Sequence, residues 1–268
     1  MKGKKFIAPG AWFDMVYPAD WSEFEDGEGS FLFYNPDKWT GNFRISAFRG
    51  NANYSKECVD AELKENREAQ VVRIGRFDCA YSVERFVEEE VTYENHQWVT
   101  GQADVAFEIS FAVKAGDPIE VAKTIIESLH VRRLGVKYPA EVIPVRLSEI
   151  LQIDEAFDWE QEEVKQLTKK DFRTEEEDVE NMQRLVESGK LSPKKRDPWI
   201  ALGITLCVIL ANEVEGMEWR TLVDGNREAP VLVSLDDEDT LIDPLKLVWS
   251  RVKAGEKVDL VEVYKQIL

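Results

Sequence analysis

Two histidines, three cysteines and several runs of carboxylates are the residues of this chain whose types could do chemistry. Nucleophilic catalysis needs a base beside its nucleophile, and histidine is the usual one. His96 stands in the polar, turn-like stretch Glu94-Asn95-His96-Gln97. His130 stands at the end of a helix opened by Asp117, where a cation suits the helix dipole. Both are expected to be surface or helix-end side chains and not bases. No GxSxG, HExxH, Walker or GxGxxG spacing occurs, so serine hydrolase, zincin, P-loop and Rossmann chemistry have no foothold.

Cys58, Cys79 and Cys207 cannot all pair with one another, and none stands in a CxxC spacing. Each lies in an apolar pattern and reads as a reduced core thiol, as in a reducing compartment. With two histidines and scattered thiols, a zinc site is not expected. Four adjacent acids, Asp236-Asp237-Glu238-Asp239, could offer oxygen ligands to calcium. They lack the alternate spacing, the central glycine and the closing glutamate of an EF-hand loop, so a solvated loop after a strand is expected. Glu88-Glu89-Glu90 and Glu175-Glu176-Glu177 read as an exposed strand end and a helix first turn. No metal or cofactor is expected.

Among eight tryptophans, Trp39 lies in the turn Asp37-Lys38-Trp39-Thr40-Gly41, where exposure is expected, and exposed aromatics anchor interfaces. It is the interaction candidate; the plain alternative is a ring folded over a sheet edge.

The elements that would carry these residues fall into two grammars. Before about residue 136, apolar residues alternate. Trp12 to Tyr17 form a strand stopped by Pro18, which has no N–H to give, and Glu25-Asp26-Gly27-Glu28-Gly29-Ser30 turns the chain. Phe31 to Tyr34 resume, and Phe43, Ile45 and Ala47 alternate again. Tyr54 to Arg67 reads as a helix, Phe77 to Val83 as a strand, and Ala103 to Val113 as the longest clean alternation. Asp117-Pro118-Ile119-Glu120 has the composition of a capped helix start. The order is βββ-α-ββ(β)-α, an antiparallel sheet flanked by helices, hence α+β.

Lys137 to Pro144, with two prolines, reads as a linker between a domain at 1–136 and a second at 145–268. The second is mainly helical. Ala156 to Lys169 is amphipathic, and Thr174 and Glu177 form a capping box for a helix ended by Gly189. Asp197-Pro198 caps a helix, Trp199 to Leu210, that is apolar on every side and so expected to be buried by its neighbours. A hairpin pairs Glu218–Val223 with Glu228–Leu235 over Asp224-Gly225-Asn226. Helices capped by Asp243 and opened near Asp259 follow.

The first 135 or so residues resemble the family that includes the photosystem accessory protein PsbP and the Ran-binding Mog proteins. The likeness is carried by the strand running into Tyr17-Pro18-Ala19-Asp20-Trp21 and by the closing helix Ile126-Glu127-Ser128-Leu129-His130-Val131. It implies a central antiparallel sheet flanked by helices, with Trp21 turning the chain from strand to loop. The second half resembles a bacterial domain of unknown function in Trp199, Gly203, Glu218, Trp219, Asp224, Gly225 and Pro244.

The net charge is −18 and both halves are acidic, which makes nucleic acid and anionic membrane poor partners. Trp199 to Ala211 is about 13 residues, short of the roughly 20 that a bilayer needs. The N-terminus shows no signal-peptide core, so a cytoplasmic location is expected. The expectation for function is a non-enzymatic module that binds another protein through its N-terminal sheet or the domain seam. The alternatives are an enzyme using acidic residues of the second domain, and a carrier of a small molecule or lipid.

Overall fold

The structure, a computed structural model, describes residues 3–27, 29–237 and 240–268. The chain forms two compact units, residues 1–137 and 138–268.

In the first unit the order is β1 (Gly3–Ile7), β2 (Phe13–Pro18), β3 (Ser22–Gly27), β4 (Ser30–Tyr34), β5 (Asn42–Arg49), α1 (Tyr54–Glu65), β6 (Gln70–Ile74), β7 (Phe77–Glu88), β8 (Val91–Gln102), β9 (Val105–Lys114), α2 (Glu120–Ser128) and β10 (His130–Val131). Seven strands make one antiparallel sheet in the order β3-β4-β5-β9-β8-β7-β6, and β1-β2-β10 make a second. Period-two alternation turns one face of the large sheet inward, and aromatic rings from the small sheet fill the space between. Phe6 meets Phe31 and Phe33 at 4.9 and 5.2 Å between centroids, and Phe13 meets Phe107 at 5.1 Å. Helix α2 adds Ala122, Ile125 and Ile126 to the same core.

The motif from Tyr17 to Trp21 is a structural corner. Tyr17 is buried, Pro18 ends β2, and the Trp21 amide closes a turn onto the Pro18 carbonyl at 3.1 Å. Asp20 accepts from Asn35 Nδ2 at 2.8 Å, which fixes the next turn against the corner.

On the other face of the large sheet, α1 crosses β7, β8 and β9. Gly101 permits this approach, because a Cβ there would lie 2.8 Å from the Ser55 Cβ. The helix covers only part of that face.

In the second unit the order is β11 (Glu141–Pro144), α3 (Leu147–Thr168), α4 (Glu177–Glu187), α5 (Arg196–Glu213), β12 (Met217–Asp224), β13 (Arg227–Ser234), β14 (Leu241–Ile242), α6 (Pro244–Leu247), α7 (Trp249–Lys253) and α8 (Leu260–Ile267). Helix α5 is the centre: Leu202, Ile204, Leu206, Cys207, Ile209 and Leu210 are all fully buried. Helices α3, α6 and α7 and strand β12 pack against it, and residues of α4, α8 and β13 join the same core cluster. The chain as a whole is α+β.

Several sequence expectations are corrected. Lys137–Pro144 is not all linker, because Glu141–Pro144 pairs with β12 and extends the expected hairpin into a four-stranded sheet, β11-β12-β13-β14. Ser22–Gly27 is a strand as well as the entry to a turn, with Gly29 taking the positive φ. The strand expected from Ala103 starts at Val105, since Ala103 itself has φ 55 in the turn. Helix α3 begins at Leu147, nine residues before the expected Ala156.

Three expected helix caps also differ. Ile119 and not Asp117 precedes α2, Lys195 precedes α5, and neither caps through its side chain. Thr174 has φ 63 and donates its hydroxyl to the Arg173 carbonyl, while Asp178 Oδ2 accepts from the Arg173 amide at 2.7 Å and holds the entry to α4. Among the described helix N-caps, only Asp259, at α8, accepts through its side chain from an orphan amide of the first turn, that of Glu262 at 3.0 Å.

Candidate functional site

Alternate residues of the strands that fill the core with one face must present the other face outward. The β register aligns that outer face in ladders across the large sheet: Asn42 opposite Ala112 opposite Asn95, and Arg44 opposite Ser110 opposite Gln97. Asn42, Arg44, Asn95, Ser110 and Ala112 line a trough of about 400 Å³ with Leu32 and Phe86 in its walls. A neighbouring hollow of about 360 Å³ shares Arg44 and Ser110 and reaches Glu62 of α1.

Aromatic rings stand along one side of the trough. Phe86 and Tyr93 stack at 5.4 Å and 19°, and Trp39 meets Tyr93 edge-on at 5.7 Å. Trp39 is 40% and Phe86 39% exposed. The Trp39 Nε1 donates to Asn42 Oδ1 at 3.1 Å, which fixes the ring at the rim. Gly41 lets the Trp39 loop press close, since a Cβ there would sit 2.5 Å from the Phe111 ring. Trp39 follows the bend at 36–38, is exposed, and rests its ring against Tyr93 of the sheet. Phe86 and Tyr93 are missed by the sequence reading, although Phe86 breaks the polar run of β7.

The histidines are placed differently from expectation. His96 is not in a turn but in the middle of β8, buried, with Tyr81, His96 and Trp98 stacked. The Tyr81 hydroxyl is 2.7 Å from Nδ1, while Nε2 makes no hydrogen bond and lies 3.6 Å from Glu94 Oε2. Burial holds the imidazole below its ordinary pKa and raises that of Tyr81. Glu94 is kept ionised by Arg85, which donates to it from Nε and Nη2. With Tyr81 on Nδ1 and Glu94 near Nε2, the cluster is a polar network around a buried imidazole. His130 lies in β10 and not at a helix end, its Nδ1 3.0 Å from Asp14 Oδ2, which also accepts from Arg132 Nε at 2.8 Å. These bonds tie β10 to β2.

Cys79 and Cys207 are buried as expected, whereas Cys58, on α1, is half-buried. Burial pushes both buried thiols upward, which removes them as nucleophiles. Of the acidic run, Asp236 and Asp237 take their amides to Ser234 Oγ, and Glu238 and Asp239 lie outside the described residues. Glu88, Glu89 and Glu90 are exposed at the turn between β7 and β8, with Glu89 and Glu90 at φ 48 and 66.

The second unit holds one constellation the sequence does not announce. Arg146, 1% exposed, donates from Nε to Glu149 Oε2 at 2.9 Å and from Nη2 to Glu228 Oε2 at 2.7 Å. Thr221 accepts from the Arg146 amide. This buried ion triad joins the start of α3 to the hairpin.

A family model described as "Domain of unknown function (DUF3805)" matches residues 1–154, and one described as "Domain of unknown function (DUF3806)" matches residues 178–264. The chain belongs to the DUF3805 family. A crystal structure from Bacteroides thetaiotaomicron VPI-5482, at 59% identity, covers 99% of this chain and 98% of that one with a TM-score of 0.96. No curated protein matches the chain. Cyanobacterial PsbP from Synechocystis sp. PCC 6803 is 13% identical, covering 48% of this chain and 92% of that one at a TM-score of 0.25. LpqN, involved in cell envelope biogenesis of Mycobacterium tuberculosis, is 14% identical over 49% and 91%, at 0.32. Likeness to PsbP is therefore weak and carries no argument about function; the resemblance to the Mog proteins stays a sequence expectation.

Proposed function

We propose that this protein is a non-enzymatic module that holds another protein on the outer face of its seven-stranded sheet. The observation behind this reading is the row Trp39–Tyr93–Phe86 beside a trough of amide, hydroxyl and guanidinium groups. Exposed aromatics next to polar rim groups have the composition of an interface anchor. The titratable groups favour the same reading. His96 is buried with its Nδ1 2.7 Å from the Tyr81 hydroxyl, burial holds the imidazole low and the phenol high, and Arg146 engages both Glu149 and Glu228 in ion pairs. Three free thiols support a cytoplasmic location as part of this reading.

The test is affinity capture from the native host under reducing conditions, with wild type and the Trp39→Ala/Phe86→Ala double variant run in parallel and read by mass spectrometry. A partner held by wild type and weakened by about 2 kcal/mol or more in the variant, measured on purified components, supports the reading. A partner held equally by both would move the interface elsewhere.

A further inference from the structure

A second recognition site lies in the other unit. Residues of helices α3 and α5, with Leu245, line a cleft of about 470 Å³, within the range of small-molecule pockets. Ala156 of α3 and Ala201 and Ile204 of α5 are among the residues that line it. Trp159 supplies one half-buried aromatic wall. At the mouth stand Glu155, Arg196 and Asp197, and none of the three forms an ion pair with a described residue.

This combination selects a ligand by elimination. An apolar pocket beside a tryptophan takes an apolar or aromatic side chain. The rim carries one cation and two anions. A simple anion would meet the repulsion of Glu155 and Asp197 in a protein of net charge −18, and a simple cation would leave Arg196 unanswered. A zwitterion satisfies both signs, its carboxylate on the Arg196 guanidinium and its ammonium on the two acids. We propose that this cleft binds a free α-amino acid with a large apolar side chain, of the leucine or phenylalanine kind.

The experiment is isothermal titration of the full chain with leucine, phenylalanine and glycine, and with leucinamide and N-acetyl-leucine, which lack one charge each. Saturable binding of leucine or phenylalanine, at least tenfold weaker for glycine and for each blocked analogue, is expected. Arg196→Ala and Trp159→Ala should each weaken it at least tenfold while the circular dichroism spectrum is kept. Arg196 is exposed, so its variant remains informative should Trp159→Ala fold poorly. No binding by wild type at millimolar concentration would overturn the proposal. So would equal binding of leucinamide or N-acetyl-leucine, or an Arg196→Ala protein that binds like wild type.

Discussion

Trp21 lies stacked on Phe111, ring centroids 6.3 Å apart at 21°, and its carbonyl accepts from Lys4 Nζ at 3.1 Å. Three residues after the end of β2 and one before β3, this contact fixes where the chain leaves the small sheet for the large one. The ring is 3% exposed, against 40% for Trp39. Trp21→Ala should therefore cost about 3–5 kcal/mol, and Trp39→Ala should stay within about half a kcal/mol. Denaturant melts of the two variants decide it, and a stable Trp21→Ala protein would contradict the structural reading of the corner.

Leu206 sits fully buried at the middle of α5. Leu206→Asp places an unpaired carboxylate among Leu202, Leu210 and Val248 of the same core cluster and is expected to cost several kcal/mol. Thermal melting at neutral pH measures this; a variant that melts with wild type would put the helix at a surface.

Arg146 separates two carboxylates that would otherwise be buried without a counter-charge. Arg146→Met should destabilise by about 3–5 kcal/mol, whereas the triple variant Arg146→Met/Glu149→Leu/Glu228→Leu should recover most of the loss. Chemical unfolding of both proteins separates the cost of stranding charges from the net worth of the triad. A single variant as stable as wild type would show that water reaches Glu149 and Glu228.

Glu160 is fully buried on α3, its carboxylate oxygens without a hydrogen-bond partner, and burial raises its pKa from 4.5 to about 8, with Glu163 adding to the shift. Between those values the folded state binds more protons than the unfolded chain, so stability falls as pH rises and levels off above about 8. The loss across that window is on the order of a few kcal/mol. Glu160→Gln removes the titration and should grow more stable relative to wild type from pH 4.5 to 8. Unfolding free energies measured across that range would run parallel if Glu160 were solvated in the native state.

What the sequence determined is what short-range pattern can encode. Period-two alternation from Val105 to Val113 marks β9, and an unbroken apolar run marks α5, because burial on one face or all faces leaves a direct trace in residue order. Pro18 before Trp21 marks the corner in the same way. The trace fails where polar side chains occupy buried positions. Glu149 and Glu160 hide the inward stripe of α3, and His96 disguises the centre of β8 as a turn, although Trp98 and Thr100 continue its alternation. For Glu149 and His96, partners elsewhere in the chain accompany the burial: Glu228 and Thr221 with Arg146 and Glu149, and Tyr81 with His96. Only the tertiary structure decided that Trp39, Tyr93 and Phe86 form one row, since register across separate strands brings them together and no local spacing records it. The same holds for the cleft of Trp159 and Arg196. Side chains on two helices meet there because α3 and α5 pack, and packing is a property of the folded chain and not of either segment.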